Sequence, residues 1–256
     1  MLIKNKMKNK RGQVTIFIIV AVLIIAAVAL VFTLSPGLRT KITQPENPQE
    51  FIQTCLEDTI QEDVELLSLQ GGSLEPEFSY QYEGNELQYL CYTKDYYKLC
   101  TVQVPFLREN IEEEIKNNIK DDVDICFNLL KETYENKNYQ VNSKKGEIKV
   151  DLLPNKILTT INSTFTLTKG EDVKKYEKFN VIVNNNLYEL VAIAQNIVEW
   201  ETTYGEAEPD LYMDLYPDLK VEKHPQSDET YIYIITDKNT GNKFQFASRS
   251  LAYAPY

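Results

Sequence analysis

Four cysteines, a single histidine, seventeen tyrosines and one Asn-x-Ser/Thr sequon are the residues through which this 256-residue chain could do chemistry. Cys55, Cys91, Cys100 and Cys126 permit three pairings. Cys91 and Cys100 flank one short turn between strand-like runs. Cys55 and Cys126 each sit in the apolar face of a helix-like run. Neighbouring strands and packed helices therefore give Cys91–Cys100 and Cys55–Cys126 as the expected disulfides. No Cys-x-x-Cys occurs and His224 is far from every cysteine, so zinc chemistry has no ligand set. His224 lies in Lys-His-Pro-Gln, a polar segment that reads as a loop, and it is the only base available to a Ser-His or Cys-His pair. No nucleophile elbow or phosphate-cradling glycine loop is present. These features point away from an enzyme, from a resident cofactor and from a metal.

Two acidic motifs bear on calcium binding. Asp237, Asn239 and Gly241 begin a calcium-loop pattern, but its twelfth position is Ser248 instead of glutamate, and a hairpin turn explains the same residues. Glu206, Glu208, Asp210, Asp214 and Asp218 read as a solvated acidic stretch. Tyr80, Tyr82, Tyr89 and Tyr92 stand close together on an alternating pattern, which suits a contact surface because tyrosine covers area and keeps a polar tip. Asn162-Ser163-Thr164 makes Asn162 a glycosylation candidate, placed within a strand-like run.

These residues follow an unusual N-terminus. Residues 1–13 carry five cations and no acid. Residues 14–32 (VTIFIIVAVLIIAAVALVF) contain one polar residue, Thr15, and no charge. At ~1.5 Å per residue this run spans about 28 Å, the thickness of a bilayer core. The cations place residues 1–12 in the cytoplasm and the remainder outside, with membrane lipid contacting residues 14–32. From residue 34 onward 22 basic residues face 38 acidic ones. That balance excludes a nucleic-acid partner, whose phosphates need a basic face.

Lys10-Arg11-Gly12-Gln13, followed at once by the apolar run, resembles the class III signal of archaeal type IV pilin-like proteins. The resemblance covers about twenty residues. It implies cleavage between Gly12 and Gln13, retention of the helix as an anchor, and self-association into a filament. Many such subunits carry a glutamate at the fifth mature position, where this chain has Phe17. An uncut signal anchor is the other reading of the same residues. Cys55-Leu56-Glu57 with Leu69-Gln70-Gly71-Gly72, and residues 231–237 (YIYIITD) with Phe244-Gln245-Phe246-Ala247, resemble uncharacterised single-pass surface proteins of small archaea. That likeness implies a location and not an activity.

The outer part divides by periodicity. Residues 34–48, with Pro36, Gly37, Pro45 and Pro48, read as a stalk, and residues 49–256 as the outer domain. A helix is expected from Pro48 to the Gly71-Gly72 stop. A hairpin follows over 77–92 with a turn at Glu83-Gly84-Asn85, then a third strand over 99–104. Leu107, Ile111, Ile115, Ile119, Val123 and Phe127 recur every four residues and suggest one long second helix. Strands are expected at 147–153, 157–167 and 175–183, a third helix at 187–200, and a hairpin over 230–247. The polar stretch 136–145 is a candidate subdomain boundary. Grouped helices and hairpins favour an α+β fold of mostly antiparallel sheets with two or three packed helices behind an N-terminal transmembrane helix. The function expected is a structural or adhesive surface protein, a pilin-like subunit that binds itself or another surface protein. The alternative is a receptor or ligand-binding sensor acting through a partner.

Overall fold

Asn47 opens the first helix, α1 (Pro48–Leu69), because its side-chain Oδ1 accepts from Glu50 N at 2.9 Å and Pro48 fills the first helical position. The structure is a computed structural model and describes residues 47–252. The basic segment, the Gly12–Gln13 cut site, the apolar run and the stalk up to residue 46 lie outside the described residues. No helix among the described residues is long and apolar enough to cross a membrane. The stalk expected to reach residue 48 stops earlier, since Asn47 and Pro48 already belong to the helix start.

Ile52, Leu56, Ile60, Val64 and Leu67 form the buried stripe of α1. The helix ends as Gly72 N donates back to Leu67 O at 2.8 Å, with Gly71 in the left-handed region at φ 75°. That is a Schellman closure, which needs a residue without a side-chain penalty. A Cβ on Gly72 would lie 2.9 Å from Leu107 Cδ1, so glycine also admits the next helix.

The stripe of residues 107–127 is fully used, but as two helices where one was expected. They are α2 (Leu107–Asn118) and α3 (Lys120–Glu135). A spacing of four drifts about 40° per step around a helix of 3.6 residues per turn. Over the whole run that drift would carry the stripe off the core. A break at Ile119 resets it, and Leu107, Ile111, Ile115, Ile119, Val123 and Phe127 are all buried. The third expected helix is α4 (Leu187–Tyr204), and a short α5 (Pro209–Leu215) was not foreseen. Among the described residues five helices therefore stand where two or three were expected.

The strands make two sheets. One comprises β1 (Ser79–Tyr82), β2 (Asn85–Tyr92), β3 (Thr101–Val102), β8 (Leu219–Pro225), β9 (Tyr231–Asp237) and β10 (Lys243–Arg249). Its order is β1-β2-β10-β9-β8, with β3 beside β2. The second comprises β4 (Gln140–Leu153), β5 (Lys156–Lys169), β6 (Asp172–Tyr176) and β7 (Phe179–Val183) around β5. All pairings are antiparallel except β2 with β10, which run parallel after a crossover through the helices and the second sheet. The expected strand over 175–183 is split into β6 and β7. The polar stretch at 136–145 leads directly into β4. One continuous core joins Leu56, Ile111, Phe127, Phe165, Phe179, Ile197, Tyr233 and Phe246 from both sheets and four helices.

Side chains of the helices blunt the edges of the smaller sheet. Gln49 bonds both backbone groups of Asn180, and Gln53 both of Ile182. Residues four apart on a helix and two apart on a strand have nearly the same spacing, so two glutamines of α1 act as a partner strand for β7. Glu112 on α2 accepts from Leu152 N at 2.8 Å on the β4 edge.

Candidate interaction surface

The disulfides join Cys55 to Cys126 and Cys91 to Cys100, and no described cysteine is free. The first ties α1 to α3 across their packed faces, with Cα atoms 6.0 Å apart. The second ties β2 to the start of β3, with Cα atoms 5.4 Å apart, and clamps the loop between them. Two such bonds are compatible with an oxidising, exterior environment.

The tyrosine group does not lie flat on a surface. The six-stranded sheet curls until Tyr82 on β1 faces His224 on β8, at opposite edges, with ring centroids 6.2 Å apart. Inside the curl Leu87, Tyr89, Ile232 and Ala247 form a second small core. Tyr89 is 5% exposed, its hydroxyl shares a hydrogen bond with Thr230 Oγ1 at 2.9 Å, and Phe78 stacks on its ring. Burial raises the Tyr89 hydroxyl above its usual pKa. Tyr80, Tyr82 and Tyr92 are half-buried lids over this core. His224, expected in a loop, is on β8 opposite Ile232.

The exposed aromatic surface lies beside this group. Tyr97 is 71% and Phe106 75% exposed, with Tyr96, Leu99 and Val102 also open to solvent. Tyr97 and Phe106 have φ of 59° and 58°, a left-handed conformation that costs a side-chain-bearing residue about 1–2 kcal/mol. Phe106 occupies the N-cap of α2 without any side-chain capping bond. Residues 91–109 carry Lys94, Lys98 and Arg108 against Asp95 and Glu109, and Lys98 pairs with Asp95 and Arg108 with Glu109, each at 2.8 Å. Behind Phe106, Leu90, Val102, Val104 and Val198 line a shallow apolar groove.

A second exposed patch lies on α3. Ile125 and Leu129, four apart, are 55% and 46% exposed. Asp121, Asp122 and Glu132 surround them one turn away. This patch is apolar with an acidic rim, whereas around Phe106 the apolar residues are flanked by paired charges, Lys98 with Asp95 and Arg108 with Glu109.

One buried polar cluster escaped sequence reasoning. Glu201, fully buried on α4, accepts from Tyr233 Oη, from Ala207 N at 3.3 Å and from Ser248 Oγ at 3.4 Å. Burial pushes its carboxyl up, against the pull of those donors and of Lys223. Lys223 reaches Glu206 at 2.7 Å and lies over the Tyr231 ring at 4.3 Å. Tyr212, on α5, is pushed up to about 12 by burial and by Glu201. The cluster pins the end of α4 to β8, β9 and β10. Its one sequence signal is that Glu201 continues the stripe Leu190, Ala194, Ile197.

The acidic motifs resolve into local structure. Asp237 Oδ1 accepts from Asn239 N and Thr240 N, and Gly241 takes φ 77°, which together make the β9–β10 turn. Glu206 pairs with Lys223, and Glu208, Asp210 and Asp214 belong to the start and body of α5. Among the described residues no group of three or more His, Cys, Asp or Glu side chains could hold a metal ion. Asn162 is exposed on β5. Compared with known proteins, the chain matches no family model, no curated sequence and no solved structure.

Proposed function

We propose that the chain is a membrane-anchored surface protein that works by self-association, as a type IV pilin-like subunit. The observation that carries this reading is the pair of exposed apolar patches, one at Phe106 and Tyr97, the other at Ile125 and Leu129. They lie on different elements of the same domain. Contact between the two would be heterologous, and a heterologous contact that does not close makes an open assembly. The apolar run at 14–32 supports an anchor, and the two disulfides support an exterior domain.

The mature N-terminus of protein from its native membrane, read by mass spectrometry, tests the processing. A start at Gln13 is expected. A start at Met1 removes the pilin-like step and leaves an anchored docking module, and a start beyond Thr33 rules out anchoring. Self-association is tested on the full chain in detergent by sedimentation. Lys94→Glu with Lys98→Glu is expected to weaken it at least ten-fold. A full chain that stays single, and whose melting temperature shifts with a small ligand, would favour the receptor reading.

A further inference from the structure

Asn162-Ser163-Thr164 lies in the middle of β5, the central strand of its sheet, where a sequon would ordinarily be locked by neighbours on both sides. Here both neighbours are interrupted along this stretch, β4 opposite Ser163 and the β6/β7 side opposite all three residues. On one side Lys144 pairs with Thr164 and Glu147 with Asn162, so Lys145 and Gly146 bulge out opposite Ser163. On the other side β6 ends with Tyr176 opposite Phe165, and β7 begins with Phe179 opposite Ile161. Residues 162–164 thus pair with neither β6 nor β7. The bulge depends on Gly146, since a Cβ there would fall 1.3 Å from Asn162 O.

Strand alternation then sorts the three side chains. Ser163 points inward, is 3% exposed, and donates to Lys144 O at 3.0 Å. Asn162 and Thr164 share the opposite face. Asn162 is exposed, and its amide has no hydrogen-bond partner among the described residues. Its neighbours on that face, Thr160, Thr164, Lys144 and Glu147, are polar, so a bulky hydrophilic group displaces no apolar packing.

We propose that Asn162 is an N-glycosylation site. In the transfer, Asn162 Nδ2 bonds to the anomeric carbon of a lipid-linked sugar donor. The carbon–oxygen bond to the lipid phosphate breaks, the phosphate leaves, and Nδ2 gives up one proton. No oxidation or reduction occurs. The inference rests on the exterior location proposed above.

The test is peptide and intact mass of the full chain from its native membrane. The peptide containing Asn162 should carry a sugar mass on most copies. Asn162→Gln and Thr164→Ala should abolish it, and Thr164→Ser should keep it. Because the wild-type peptide is read directly, the result does not depend on how any variant folds. An unmodified Asn162 in protein whose four cysteines are oxidised overturns the site and leaves the exterior location standing. An unmodified Asn162 with free thiols overturns both.

Discussion

At the residue scale, two buried carboxyls bear on stability in ways their neighbours decide. Glu201 supplies acceptors to Tyr233, Ala207 and Ser248 at once. Glu201→Ala leaves those donors buried without a partner and should cost ~2–4 kcal/mol in chemical denaturation. Glu201→Gln keeps an acceptor and should cost much less. Asp63 on α1 is 7% exposed, its Oδ1 accepts from Asn118 Nδ2 at 2.7 Å, and its Oδ2 has no partner. Burial lifts it to about 6, with Asp122 and Glu62 adding repulsion. A raised acid favours the folded state while protonated. That contribution is complete below its ordinary value of 3.8 and is lost as pH climbs through about 6. Asp63→Asn should therefore raise stability at pH 7 by on the order of 1–2 kcal/mol, with the gain vanishing by pH 4. A melting-temperature series from pH 4 to 8 on both proteins reads this, and a gain equal at all pH values would refute it.

At the element scale, the smaller sheet is shaped by its interruptions. Gly146 permits the β4 bulge by approaching Asn162 O too closely for any side chain. Gly146→Ala must push β4 off β5 and should destabilise by several kcal/mol, whereas Gly84→Ala, with nothing within 4 Å, meets only the cost of its positive φ, about 1 kcal/mol. Urea midpoints of the two variants make the comparison. The helix edges follow a similar logic. Sequence periodicity finds the stripe at 107–127, but the break at Ile119 follows from holding that stripe on one core. The glutamines at 49 and 53 look like ordinary polar helix positions until β7 is placed beside them.

At the scale of the whole molecule, the disulfides staple loops of very different size. Cys55–Cys126 spans 71 residues and Cys91–Cys100 spans 9. Loop-closure entropy assigns about 4.4 kcal/mol to the first and about 2.6 kcal/mol to the second. Replacing both cysteines of the long bridge by serine should therefore lower stability more than the same change in the short one. Equal losses would mean that the clamped loop at 93–100 is stabilised chiefly by its native contacts. The short bridge also holds the aromatic patch, so its loss should weaken the proposed self-association out of proportion to its effect on stability.

Local chemistry determined much of this molecule before any contact was known. The helix start at Pro48, the stop at Gly71-Gly72, the turn at Asp237 and the apolar stripes depend on neighbours within a few residues, so they are legible in order along the chain. The cysteine pairing was legible for a related reason: each bridge joins positions that helix and strand periodicity already places on facing sides. Only the tertiary structure decided which tyrosines are buried, because Tyr89 looks like its neighbours until the sheet curls over it. It alone placed β8, whose alternating Leu219, Val221 and Lys223 are too polar a strand to recognise without β9. It alone showed Phe106 and Ile125 in water, Glu201 in the core, and Asn162 between two broken strands. Exposure is a property of what chain distant in sequence does or does not cover, and no local pattern contains it.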